Sequence, residues 1–287
     1  LLEAYLKQYP DSRHANRVHS MIASVYFDEG KLAEAIDMYG RCNLDDLADR
    51  ERDESVCKMA TAYLKLGNVQ EAKIWFNLLK DMSKTHASDA VFNLGYIDYV
   101  EKKYDEALDA FLSLKNDKVY ASLIPYYIGE IYLLREDHAK AEKVSTDYLD
   151  RFSGHKDEAE MLRIQGEARY GQENYLGASA SLKAYVERTA VPQRKALYKL
   201  GMSHYHTEAF TDAVNTLGKV TSVDDALAQN AYLHMGLAYL NLRERNQARM
   251  SFEQASLSAH DLGVKEQALY NYALCLHETS YSPFAES

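Results

Sequence analysis

Apolar residues return along this chain at intervals of three and four, the spacing that gathers them on one face of an α-helix. Around residue 100, Leu94 and Ile97 flank Gly95 on one helix, and Ala107, Phe111 and Leu114 line the next. Short polar stretches separate the two: "DEGKL", "KLGNV", "EKKYD" and "GQENY" occupy this place in four segments. They are too short for any crossover, so each pair of helices must lie side by side and antiparallel.

Small residues set the beat. Ala23, Ala60, Gly95, Gly129, Gly166, Gly201, Gly236 and Ala273 are each followed twelve residues later by an alanine, from Ala35 and Ala72 to Ala248 and Ala285. The offset of twelve never varies, whereas successive units are 34 to 37 residues apart. The variation therefore belongs to the joints between units, and the unit itself is a rigid two-helix element. A glycine inside a helix costs about 1 kcal/mol against alanine. Its persistence predicts a close helix crossing, with Gly95 packed at Ala107. Large residues follow at fixed places: Tyr26, Tyr63, Tyr132 and Tyr239 three positions after the small site, replaced elsewhere by Asp98, Arg169, His204 and Leu276. Four positions after the alanine come Tyr39, Phe76, Phe111 and Phe252, with Ser145, Leu182 and Leu217 as the departures. These should fill the space that the small residues open.

The order Leu-Gly, Tyr, Ala, Phe resembles the tetratricopeptide repeat, most closely in "MGLAYLNLRERNQARMSF" (235–252). That resemblance implies an all-α fold: a right-handed α-solenoid of antiparallel helix pairs, a superhelix of about eight repeats with truncated units at both ends. It reads as a single solenoid domain over 1–287, a fragment of a longer protein. Residues 1–12 end a preceding repeat, 13–261 form seven full repeats and 262–287 a truncated eighth. Pro10 and Pro192 fall at joints, and Pro125 early in a helix, where proline is tolerated. Cut units should expose apolar surface around Leu2, Tyr5, Tyr270 and Leu274, with end-to-end self-association as a result.

In proteins of this resemblance the first helix of each pair lines a concave groove. The corresponding places here are Phe92, Tyr96 and Tyr99, then Tyr126, Glu130 and Leu133, then Arg163, Glu167 and Tyr170, then Tyr198, Met202 and Tyr205, and finally Tyr270 and Leu274. Rings with an apolar body and a polar tip suit an extended peptide or a helix, so the implied partner is a protein or peptide. The cationic clamp that holds chaperone tails in some relatives is missing, since Ser20, Ser24, Lys58, Asp89 and Asn93 stand at those places. The joints "YLKQYPDSRHA" (5–15) and "YLDRFSGHKDEA" (148–159) resemble those of bacterial cell-envelope repeat proteins, the barrel-assembly lipoproteins and Tol-Pal partners. This implies the periplasm or envelope of a Gram-negative bacterium.

Composition narrows the chemistry. With 43 acidic against 33 basic residues the formal charge is -10, which removes the counterion-release drive toward nucleic acid. No apolar run is long enough to span a bilayer, and the chain opens on "LLEAYLKQYP" without a basic-then-apolar leader. Cys42, Cys57 and Cys275 are far apart and form no CxxC, so spacing supports neither a zinc site nor a disulfide framework. Phosphate-binding, nucleophile-elbow and metalloprotease motifs are absent. His204 and His206 lie two apart on a helix and cannot chelate together, and the acidic stretch 45–54 reads as a solvated face. The expectation is a non-enzymatic scaffold without cofactor or metal. The alternatives are a regulatory or sensory arm of a signalling or transcriptional protein, and an accessory repeat domain of an enzyme catalysing elsewhere.

Overall fold

The computed structural model describes residues 1–152 and 154–281, and among these the chain forms sixteen α-helices, two single 3₁₀ turns and no strand. The helices fall into two compact units, residues 1–124 and 125–287, where the sequence reads as one array. The first holds α1 (Leu2–Gln8) and the pairs α2 (Ala15–Asp28) with α3 (Leu32–Gly40), α4 (Asp49–Lys65) with α5 (Val69–Met82), and α6 (Ala87–Val100) with α7 (Tyr104–Ser113). The second begins within the first turn of α8 (Ile124–Leu134), with Pro125 as that helix's second residue, and α8 is followed by α9 (His138–Arg151). Then come α10 (Glu158–Gly171) with α11 (Tyr175–Arg188), α12 (Arg194–His206) with α13 (Phe210–Leu217), α14 (Ala226–Asn241) with α15 (Arg245–Leu257), and α16 (Leu262–Tyr281). Pro10 and Pro192 lie in joints. Ala285 is outside the described residues, and its expected partner Ala273 is exposed on α16.

The constant offset of twelve has a backbone cause. Seven residues after each of the first seven small sites the chain turns left-handed: at Gly30 and Gly67, and at the non-glycine residues Lys102, Glu136, Glu173, Glu208 and Arg243, with φ between 58° and 80°. Each turn is closed by the same hydrogen bond, from the next N–H back to the carbonyl five residues earlier, as in Lys31 N to Tyr26 O and Ala209 N to His204 O, 2.8 and 2.9 Å. This left-handed cap satisfies the carbonyls that the end of a helix leaves open. It admits no insertion, so length variation is confined to the joints.

The core follows the beat, with one correction. A β-carbon placed on Gly95 would meet Ala110 at 2.9 Å and the Phe111 ring at 3.1 Å, so the crossing expected at Ala107 lies one turn further along α7. Gly166, Gly201 and Gly236 likewise face Leu182, Leu217 and Phe252, the large residue four positions past the alanine. Gly129 differs because Ser145 stands at that place and bonds its own helix carbonyls. Ile164 of the following pair fills the space instead, with a methyl 3.0 Å from where a β-carbon would sit. At two of the three places where the residue four positions past the alanine is not aromatic, a ring one turn later is fully buried, Tyr148 after Ser145 and Tyr185 after Leu182; after Leu217 the buried residue is Val220. Each such side chain contributes about 1.5–3 kcal/mol by leaving water. Tyr148 and Tyr185 also reach into the joints: Tyr148 Oη bonds His155 Nδ1 at 2.9 Å, and Tyr185 Oη accepts the Gln193 N–H at 3.1 Å. Tyr5 Oη does the same with Ser12 Oγ at 2.7 Å. Two of the departures at the tyrosine place become ionic braces: Asp98 accepts from Lys73 (3.1 Å), and Arg169 donates to Glu142 (2.7 Å) and also to the Ser181 hydroxyl (2.9 Å).

Candidate partner-binding surface

Within residues 125–287 the expected stripe is carried by α8, α10, α12 and α16, and it divides into two kinds of residue. Arg163, Glu167 and Met202 are buried (4%, 8% and 5% exposed). Arg163 donates to Glu160 at 2.7 Å, to Glu167 at 2.9 Å and to Glu130 of α8. Glu167 in turn accepts from Lys199 of α12 at 2.6 Å. Burial alone would pull the Arg163 guanidinium down, but Glu130 and Glu167 outweigh it and hold it well above its ordinary value. For Glu167 burial would raise the carboxyl, and Lys199 and Arg163 reverse this, keeping it below the usual range. Three carboxylates and two cations thus tie three helices together, and breaking such a buried set costs far more than a surface pair.

The aromatic residues of the stripe, Tyr170, Tyr198 and Tyr205, are all half-buried. Tyr170 meets Tyr175 edge to face at 5.6 Å, and Tyr175 stacks on His206 at 4.1 Å. Tyr205 packs against Phe210 and His234 at 5.8 and 5.7 Å. Burial pushes the Tyr198 phenol up to about 12, with Tyr170 adding to the shift. It therefore remains protonated and able to donate a hydrogen bond at neutral pH. His204 and His234 are both held below the ordinary imidazole value by burial, and His234 Nδ1 donates to the Asn230 carbonyl at 2.9 Å. Tyr126 stands edge to face with Tyr127 at 5.2 Å. Glu130 is engaged by Arg163, and Tyr270 lies 65% exposed on α16 with Leu274 beside it at 43%.

In the first unit the stripe residues are on α6. Phe92 stacks on Tyr120 at 4.7 Å and tilts against Phe111 at 6.0 Å, so its ring belongs to the packing of α6 and α7. Tyr99 lies 6.3 Å from Tyr104, and Tyr96 is 36% exposed. Leu2 and Tyr5 are half-buried rather than open.

Spacing gives no sign of a second feature of this unit. Cys57 on α4 and His86 and Asp89 at the start of α6 bring a thiol, an imidazole and a carboxylate within 4.8 Å of one another. Cys57 and His86 are 29 residues apart on different repeats, so no sequence motif joins them. Burial, reinforced by the charge of Asp89, pushes the Cys57 thiol up to about 11. It is therefore not an activated nucleophile. No described helix is long and apolar enough to cross a membrane.

Comparison with known proteins agrees with this geometry. Two tetratricopeptide repeat profiles match, one over 165–221 and one over 53–86 and 229–257, and the chain carries tetratricopeptide repeats. Among solved structures, a tetratricopeptide repeat protein from Parabacteroides merdae ATCC 43184 is similar at 15% identity, with 89% of this chain and 98% of that one covered and a TM-score of 0.58. YrrB, described as a tetratricopeptide protein with an unusual peptide-binding site, is similar at 17% identity over 69% of this chain and 94% of its own, TM-score 0.52. The Cut9–Hcn1 hetero-tetramer of the APC/C matches at 14% identity over 94% of this chain and 51% of that one, TM-score 0.54. At these identities the likeness is one of fold: an α-solenoid of helix pairs. No curated protein sequence matches.

Proposed function

We propose that this protein is a non-enzymatic scaffold that binds a partner protein through an extended peptide, laid along the α10, α12 and α14 face of residues 125–287. One observation carries the reading. The half-buried row of Tyr170, Tyr198 and Tyr205 stands on α10 and α12, which Arg163, Glu167 and Lys199 tie together, and Tyr175, Phe210 and His234 pack against its rings, so the row is held in place before a ligand arrives. Such preorganisation lowers the ordering cost of binding. The fold points to protein or peptide partners in general, and the tyrosines supply the contact chemistry: broad apolar faces with hydroxyl tips for a peptide backbone. Site-specific photo-crosslinking tests this in the native host. A photoreactive residue at Tyr198 or Tyr205 should capture a discrete partner that the same probe at Leu176, 74% exposed on α11, does not. Equal capture from both faces, or none from the tyrosines, would overturn it.

Residence in the envelope of a Gram-negative bacterium is a narrower part of the same proposal. Its support is the resemblance of the joints 5–15 and 148–159, each closed by a tyrosine hydroxyl bonded to the residue seven positions on. Recovery of the native full-length protein in the cytosolic fraction would refute this location while leaving the scaffold reading intact.

A further inference from the structure

The first unit contains a polar cleft of about 890 Å³, which includes Cys57, His86 and Asp89 in its walls and has no part in the tyrosine row. The three residues converge because α4 presents Cys57 one repeat before the joint that leads into α6. Ser83 Oγ accepts the N–H groups of Thr85 and His86 (3.2 and 2.9 Å), fixing the backbone where α6 begins. Asp89, in the first turn, then lies 2.7 Å from His86 Nδ1 through one carboxylate oxygen. Its other oxygen accepts the Tyr120 hydroxyl at 2.7 Å. The imidazole and the carboxylate are thus held side by side, and the carboxylate is braced by a phenol, the kind of outer support that ligating carboxylates have.

We propose that Cys57, His86 and Asp89 form a binding site for a divalent transition metal ion, zinc by the chemistry of the set, with water completing four-coordination. Thiolate and imidazole donors select zinc over calcium or magnesium, which take oxygen ligands. Tetrahedral zinc with sulfur and nitrogen ligands at about 2.3 and 2.0 Å puts donor atoms roughly 3.5 Å apart. Donors already within 4.8 Å of one another reach that by side-chain adjustment alone. Of the four lysines and arginines that line the cleft, two are already paired with carboxylates. Lys58 is held by Asp28 and Glu54 at 3.2 and 3.5 Å, and Arg52 by Asp49 at 3.2 Å. Asp53, only 7% exposed, also lines the cleft; its Oδ1 makes no hydrogen bond and lies 3.6 Å from an Arg52 guanidinium nitrogen.

Cobalt(II) titration of the reduced protein reads the site directly, because a cysteine ligand gives a thiolate-to-cobalt charge-transfer band and tetrahedral geometry gives intense visible bands. The expected result is one equivalent of cobalt bound with both features, displaced by zinc. Cys57→Ser should abolish the charge-transfer band while Cys42→Ser keeps it, with circular dichroism showing both variants folded. Tyr120→Phe, which removes the support of Asp89, should weaken zinc binding roughly 10–100-fold. A charge-transfer band that survives in Cys57→Ser, or wild-type protein that takes up cobalt without one, would overturn the assignment.

Discussion

The first helices of residues 158–206 and those of residues 49–89 both carry clustered charge, and they use it differently. On α10 and α12 the buried charges engage one another: Arg163 pairs with three glutamates, and Glu167 with both Arg163 and Lys199. On α4 and α6 the groups edge an open cleft, and one carboxylate oxygen of Asp53 goes without a hydrogen bond. The same position in the repeat can therefore brace neighbouring helices or face outward as a site. What decides is whether adjacent repeats supply opposite charges at matching turns.

The contrast breaks most visibly at Arg163. Arg163→Met would leave Glu130, Glu160 and Glu167 facing one another without their cation, and should destabilise the second unit by about 3–5 kcal/mol. Cys57→Ser, in the open cleft, should cost about 1 kcal/mol or less. Chemical denaturation of the two variants compares them, and equal costs would mean that the two faces are not different in kind.

Packing gives a smaller effect. A methyl on Gly166 would meet the Leu182 side chain at 2.6 Å and its backbone nitrogen at 3.1 Å, which cannot withdraw. Gly166→Ala should cost about 1–3 kcal/mol. Gly129→Ala meets only the movable Ile164 side chain, at 3.0 Å or more. There the helix-propensity gain of about 1 kcal/mol should offset most of the strain. Thermal melts of the pair would show whether α10 is closed against its partner as tightly as its ion ladder implies.

Acid sharpens the comparison further. Burial holds His204 and His234 below the ordinary imidazole value, so the unfolded chain binds protons first as pH falls. The stability of the second unit should be constant above the unfolded value of about 6.5 and decline as pH drops from there through the folded values. His234→Gln should flatten that decline in denaturation midpoints taken between pH 7 and 5.

The smallest effect tests what the two units share. Lys102 in the first and Glu208 in the second hold left-handed turns at φ 63° and 61°. A side chain there costs about 1–2 kcal/mol, partly offset by the entropy that glycine would lose. Lys102→Gly and Glu208→Gly should each raise stability by about 0.5–1 kcal/mol, and unequal gains would show that the turns are not one device.

Much of this was legible in the sequence because a constant offset has few structural causes. The helix pairs, the joints at Pro10 and Pro192, and the early helical place of Pro125 all follow from periodicity and proline geometry. Depth was not legible. The three-and-four rhythm puts Arg163, Glu167 and Met202 on the first-helix face but cannot tell a buried place from an open one, because burial depends on what the neighbouring repeat brings. Gly129 shows the same limit, since its covering residue comes from the next pair. Cys57 and His86 belong to different repeats, and no spacing rule crosses a joint of variable length.

The hairpin turns also determine where foreign sequence can be accommodated. Each pair turns through a cap whose handedness leaves no slack, so an epitope or a fluorescent tag spliced there would unseat both rods of the pair. Val119 and Val191, 72% and 84% exposed in the connectors, are the natural places for such a handle. The molecule is built to be lengthened between its pairs, never inside them.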